Sequence, residues 1–171
     1  DWVIRSLNDD LPYDQFLVQQ IAADRLLLLD NKVPLQAMGF LTNGRRFLNN
    51  PHDIIDDRLD VLCRGTMALT VTCARCHDHK FDPIPSADYY SLYGVLASSH
   101  EPKEPAGVMT LADNPTPHNP RVFLRGSPGN QGPEVPRQFL AVLSGDRREP
   151  FKNGSGRLEL AQAIASPTNP L

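Results

Sequence analysis

Five consecutive residues, Cys73-Ala74-Arg75-Cys76-His77, put two thiols three positions apart with an imidazole directly after the second. Thiols at that spacing can each add across a haem vinyl group to form a thioether, and the adjoining imidazole is then placed on the iron. The spacing makes Cys73 and Cys76 the candidate attachment points of haem c, with His77 as its candidate proximal ligand and metal-binding residue. His79 comes two positions later, and in local helical geometry its ring points to nearly the opposite side. It is a poor second ligand for the same iron, which leaves His52, His100, Met109 or a five-coordinate iron.

Two other chemistries use the same residue types. A structural zinc site would take Cys73, Cys76 and His79, with Cys63, His52 or His100 as the fourth ligand. A thiol-exchange centre would place the C-x-x-C at the start of a helix after a strand, where the helix's positive end stabilises a thiolate. Here the pair follows a helix, which argues against exchange. Cys63 lies ten positions before Cys73, about 15 Å away along a continuous helix, beyond disulfide reach, and reads as a buried small apolar residue. Asp78, Asp82 and Asp88 match no calcium loop and read as caps or turn residues. No Ser-His-Asp arrangement, phosphate-binding glycine loop or H-E-x-x-H helix is present, so no catalytic residue is assigned.

Composition narrows the setting. The chain has 171 residues, of which 40% are hydrophobic, enough for a core. Its net charge of −3, from 17 basic and 20 acidic residues, supplies no basic face for nucleic acid and no polybasic membrane anchor. No apolar run approaches the length of a membrane span.

The elements that must position the thiols are helices. Residues 11–30 read as one, with Pro12 in its first turn, Asp14 near its positive end, and Phe16, Leu17, Ile21 and Leu28 in an apolar stripe. Met38 to Leu41 is a short apolar patch, and Asn49-Asn50-Pro51 reads as a stop. Asp53, Asp56 and Asp57 crowd the start of the next helix, whose Ile55, Leu59, Leu62, Thr66 and Leu69 recur at helical spacing and which is expected to run directly into Cys73. Phe81 to Pro85 must be extended or turned. Ser86 is the expected cap of a helix with Tyr89, Leu92, Tyr93 and Leu96 on one face. Of these, Tyr89, Tyr93 and Leu96, together with Phe81, Ile84, Met67 and Leu69, are either the walls of a haem pocket or ordinary core.

Between His100 and Pro136 fall eight of the sixteen prolines, which marks a linker or covering loop whose one candidate strand is Val122-Phe123-Leu124. Arg157 to Ala165 reads as a short helix capped by Ser155 and broken at Ser166-Pro167. The expected class is mainly α: a small helical domain, a long Pro-rich irregular segment and a short C-terminal helix.

The stretch Leu69 to Pro85 around C-A-R-C-H-D-H-K-F-D-P-I-P, with Asp88-Tyr89-Tyr90 after it and Asp1-Trp2-Val3-Ile4 and Pro12 to Phe16 before it, resembles the planctomycete-type cytochrome c-like family. Leu124-Arg125-Gly126, Gly132 to Pro136, Phe139 to Gly145 and Gly156 to Leu171 resemble the start of the planctomycete-specific domain that usually follows. The resemblance implies the end of a helical cytochrome c-like domain over residues 1–100, a Pro-rich linker over 101–120, and the beginning of a second domain over 121–171. It implies a piece of a larger, periplasmic or otherwise extracytoplasmic protein whose biochemical function is unknown. Electron transfer to a redox partner protein or a neighbouring cytochrome module is the expected role. The alternative is a structural or binding module holding zinc or no cofactor.

Overall fold

Asn50 closes a 3-10 turn, Phe47–Asn49, as the Asn49-Asn50-Pro51 stop predicts, and with Pro51 also opens the longest helix among the described residues. The Asn50 side chain accepts the His52 N–H at 3.1 Å and donates to Asp53 at 2.7 Å, so cap and third helical residue satisfy one another. A computed structural model describes residues 1–26, 32–103, 108–145 and 148–171. Within them the chain is mainly α, with helices α1 (Trp2–Asn8), α2 (Tyr13–Ala22), α3 (Gly39–Thr42), α4 (Pro51–Met67), α5 (Ser86–Ala97), α6 (Ala141–Ser144) and α7 (Arg157–Ile164). The expected helix over 11–30 is α2 followed by a 3-10 turn, Ala23–Arg25. Leu28 lies outside the described residues.

Helix α4 buries Ile55, Leu59, Leu62 and Cys63 as its spacing predicts, but it does not reach Cys73. It stops at Met67. Ala68 turns left-handed at φ 55°, and the N–H groups of Ala68 and Leu69 bond to Arg64 and Cys63 oxygens, the closing pattern usually built with glycine. Cys73 falls instead in a separate 3-10 turn, Val71–Arg75.

Helix α5 is buried all round from Asp88 to Leu96, not on one face, because it forms the centre of the molecule. Its cap is also not Ser86: the Ser86 N–H is taken by Asp78 Oδ1 at 2.8 Å. The Pro-rich segment contributes four short strands, β1 (Ser99–His100) paired antiparallel with β2 (Ala112–Asp113), and β3 (Arg121–Phe123) paired antiparallel with β4 (Gln131–Glu134). The expected strand is there in part, since Leu124 already belongs to the turn that follows β3.

One hydrophobic cluster crosses residue 101: Leu17 and Ile21 of α2, Leu59 and Leu62 of α4, Tyr90 and Leu92 of α5, and Leu160 and Ile164 of α7 belong to it. Helix α7 packs against α2. At its start Gly156 adopts φ 91°, and the Ser155 hydroxyl accepts the Arg157 N–H at 3.2 Å. Among the described residues no helix is long and apolar enough to cross a membrane.

Candidate functional site

The turn Val71–Arg75 sits between α4 and α5, and its alternation separates core from surface. Val71 and Ala74 point inward and are wholly buried, while Cys73 and Cys76 are free thiols exposed to solvent. Beneath the turn, Arg75 is clamped to α4 by Asp53 at 2.9 Å and Asp56 at 3.3 Å. Its carbonyl accepts the Tyr90 hydroxyl at 2.9 Å. Tyr89 donates to Asp56 at 2.7 Å. Burial, reinforced by Asp56, raises the Tyr89 pKa far above the ordinary phenol value, and burial pushes Tyr90 up to about 12, so both hydroxyls keep their protons and donate. The two tyrosines are therefore core supports of the turn and not an open pocket wall.

His77 is exposed. Its Nδ1 lies 2.7 Å from the Asp78 carbonyl oxygen, which can only accept, so Nδ1 carries the proton and Nε2 presents its lone pair outward. That is the tautomer a metal-ligating imidazole needs.

His79 is used differently. Its side chain is 5% exposed, Nδ1 accepts the N–H groups of Phe81 at 3.2 Å and Asp82 at 2.8 Å, and Nε2 then donates to Thr70 Oγ1 at 3.0 Å. With both nitrogens engaged, His79 closes the loop to Ile84 and is committed away from the ligand role that the zinc alternative gives it. Among the described residues no three His, Cys, Asp or Glu side chains converge to hold a metal ion. The remaining second-ligand candidates have other partners: His52 meets the Tyr93 hydroxyl at 2.6 Å and His100 meets Asn114 at 2.9 Å, while Met109 is 41% exposed and offers its carbonyl to Thr42. Cys63 is fully buried, and burial pushes its thiol up to about 12.

A loop from beyond residue 120 completes the site. Gly126, at φ 72°, lies so close to Cys76 that a Cβ there would come within 2.5 Å of Sγ. Nothing in the sequence couples residues 76 and 126. The Arg75 clamp was also hidden, because Asp53 and Asp56 read as helix-start acids whose partner lies across a turn.

The donor set fits attachment of haem c: two accessible free thiols in one turn and an imidazole with Nε2 free. The fit is to the attachment residues and the proximal ligand. Residues 1–101, more than half of the chain, match the family PSCyt2, described as "Protein of unknown function (DUF1549)". The chain belongs to the PSCyt2 family. This is consistent with the planctomycete cytochrome c-like resemblance of the motif. The PSCyt2 match ends at residue 101, whereas Gly126 and the core described above lie partly beyond it. No curated protein and no solved structure matches the chain.

Proposed function

We propose that this PSCyt2 chain is an electron-transfer module in which Cys73 and Cys76 anchor haem c through thioethers and His77 is the proximal ligand. Haem, when bound, supplies one-electron chemistry at its iron. The observation that carries the reading is the combination of two free, exposed thiols with an adjacent imidazole whose Nδ1–H is already donated to a carbonyl. The protein's own residues do the positioning: Asp53 and Asp56 hold Arg75, Tyr90 holds its carbonyl, and the inward Val71 and Ala74 aim both sulfurs outward. An extracytoplasmic, periplasmic setting and a redox partner protein or adjoining cytochrome module belong to the same proposal.

The test is expression of the chain with and without a c-type maturation system, read by intact mass and absorbance after denaturation. We expect one covalently held haem, absent from Cys73→Ala/Cys76→Ala. His77→Ala should keep the covalent haem and change its visible spectrum. An apo-protein recovered from cells that mature a control cytochrome, with stoichiometric zinc in its place, would overturn the proposal.

A further inference from the structure

The β3–β4 hairpin and helices α4 and α5 border an open cavity at the surface that the thiol turn does not use. It measures about 370 Å³ and is lined by His52 and Tyr93 from the helices and by Arg121, Phe123, Gln131 and Glu134 from the hairpin. That volume lies within the ~300–1,000 Å³ range of small-molecule sites.

Its inner wall is aromatic. The His52 ring meets Phe123 edge-on with centroids 5.2 Å apart and lies along Tyr93 at 6.1 Å, while Tyr93 and Phe123 are 5.5 Å apart. Burial pushes the Tyr93 hydroxyl up to about 12, so it keeps its proton and donates to His52 Nδ1, its partner at 2.6 Å. The imidazole proton then sits on Nε2.

The outer wall is polar and balanced in charge. Arg121 and Glu134 are direct cross-strand partners, and Arg121 spends one N–H on the Gly132 carbonyl. The side chains of Glu134, Gln131 and the neighbouring His118 make no hydrogen bond or ion pair with other described residues. A guanidinium and a carboxylate facing the same space cancel, which selects against a strongly charged ligand. No metal-holding group is present among the described residues. Planar side chains with paired donors or acceptors match adjacent hydroxyls on a ring, and the aromatic wall accepts the apolar C–H edge of the same ring.

We propose that this cavity binds a neutral polyhydroxylated molecule of monosaccharide to disaccharide size. Its walls come from both sides of residue 101, so the family-matched region alone does not form it. The cavity shares no lining residue with the thiol turn, and the proposal stands independently of haem.

The test is saturation-transfer NMR on the full 171-residue chain without haem, titrated with glucose, galactose, xylose and maltose, with acetate and phosphate as charged competitors. We expect saturable binding of at least one sugar, weakened tenfold or more by Glu134→Ala and by Arg121→Ala at unchanged thermal midpoint. Both positions are exposed, so neither change disturbs the core. Absence of saturable binding by all four sugars, binding that both variants leave intact, or displacement by acetate or phosphate would overturn the proposal.

Discussion

Replacing Arg157 with Met tests whether the segment after residue 101 is stapled to the helices before it. The Arg157 side chain is wholly buried, with Asp24 bound through both oxygens at 2.7 Å, Asp113 at 2.8 Å, Ser99 Oγ at 2.9 Å and the Ile21 carbonyl at 3.2 Å. Methionine preserves most of the apolar volume but leaves two carboxylates facing each other, their side chains only 16% and 10% exposed. Removing one partner of a buried ion pair costs about 3–5 kcal/mol. Arg25, at 3.5 Å from Asp113, still screens one of the two carboxylates, which places the loss at the lower end, about 3 kcal/mol. For a chain of this size each kcal/mol moves the midpoint by roughly 2–4 °C, so thermal unfolding followed by circular dichroism should shift down by about 6–12 °C. Adding Asp24→Asn to Arg157→Met should recover part of the loss, because the repulsion disappears. A drop of less than about 1 kcal/mol, or no recovery in the double variant, would refute the reasoning that this network bears load.

Gly126→Ala brings a methyl group to 2.5 Å from Cys76 Sγ at a φ of 72°. It should destabilise the chain by about 1 kcal/mol or more in urea titration and change the alkylation rate of Cys76 while leaving that of Cys73 unaltered. In the native apo-protein Cys73 and Cys76 should react with a thiol reagent, while Cys63, buried and with its pKa pushed up to about 12, should react only after unfolding. Acid should weaken the fold in a defined direction. Burial works to raise the Asp113 and Glu101 carboxyls, but Ser155 and Arg157 on the first, and Arg46 and Arg58 on the second, outweigh it and hold both below their ordinary values of 3.8 and 4.5. Groups depressed on folding contribute stability that is fully present above those ordinary values and is lost as pH falls through the lower folded ones. Urea midpoints should therefore be flat with respect to these two groups above about pH 5 and fall below it, less steeply in Asp113→Asn.

The parts of the fold legible in the sequence are those written in local pattern. The aspartates at the start of α4, the spacing of Ile55, Leu59 and Leu62, and Ser166-Pro167 after α7 each report on neighbours within a turn or two. The C-x-x-C-H spacing likewise identifies candidate attachment residues without a structure. What escaped is what distance in sequence conceals. Ala68 ends α4 in a left-handed conformation without the glycine that would have announced it. Asp78, eight positions away, caps α5 in place of Ser86. Arg157 reads as an ordinary first-turn residue until Asp24, 133 positions earlier, closes on it.

These long-range contacts change what the thiol turn rests on. Tyr90 donates to the Arg75 carbonyl at 2.9 Å and also approaches the Phe123 carbonyl at 3.3 Å, so one hydroxyl bridges the turn to β3. The ring of the same Phe123 lines the hairpin cavity and packs against His52. Phe123, beyond the family match at residues 1–101, thus joins the turn to the cavity, while the residues that hold the turn itself, Asp53, Asp56 and Tyr90, lie within that match. Displacement of β3 would disturb the carbonyl anchor of the turn and the aromatic wall of the cavity together, whereas a change confined to Glu134 or Arg121 would reach the cavity alone.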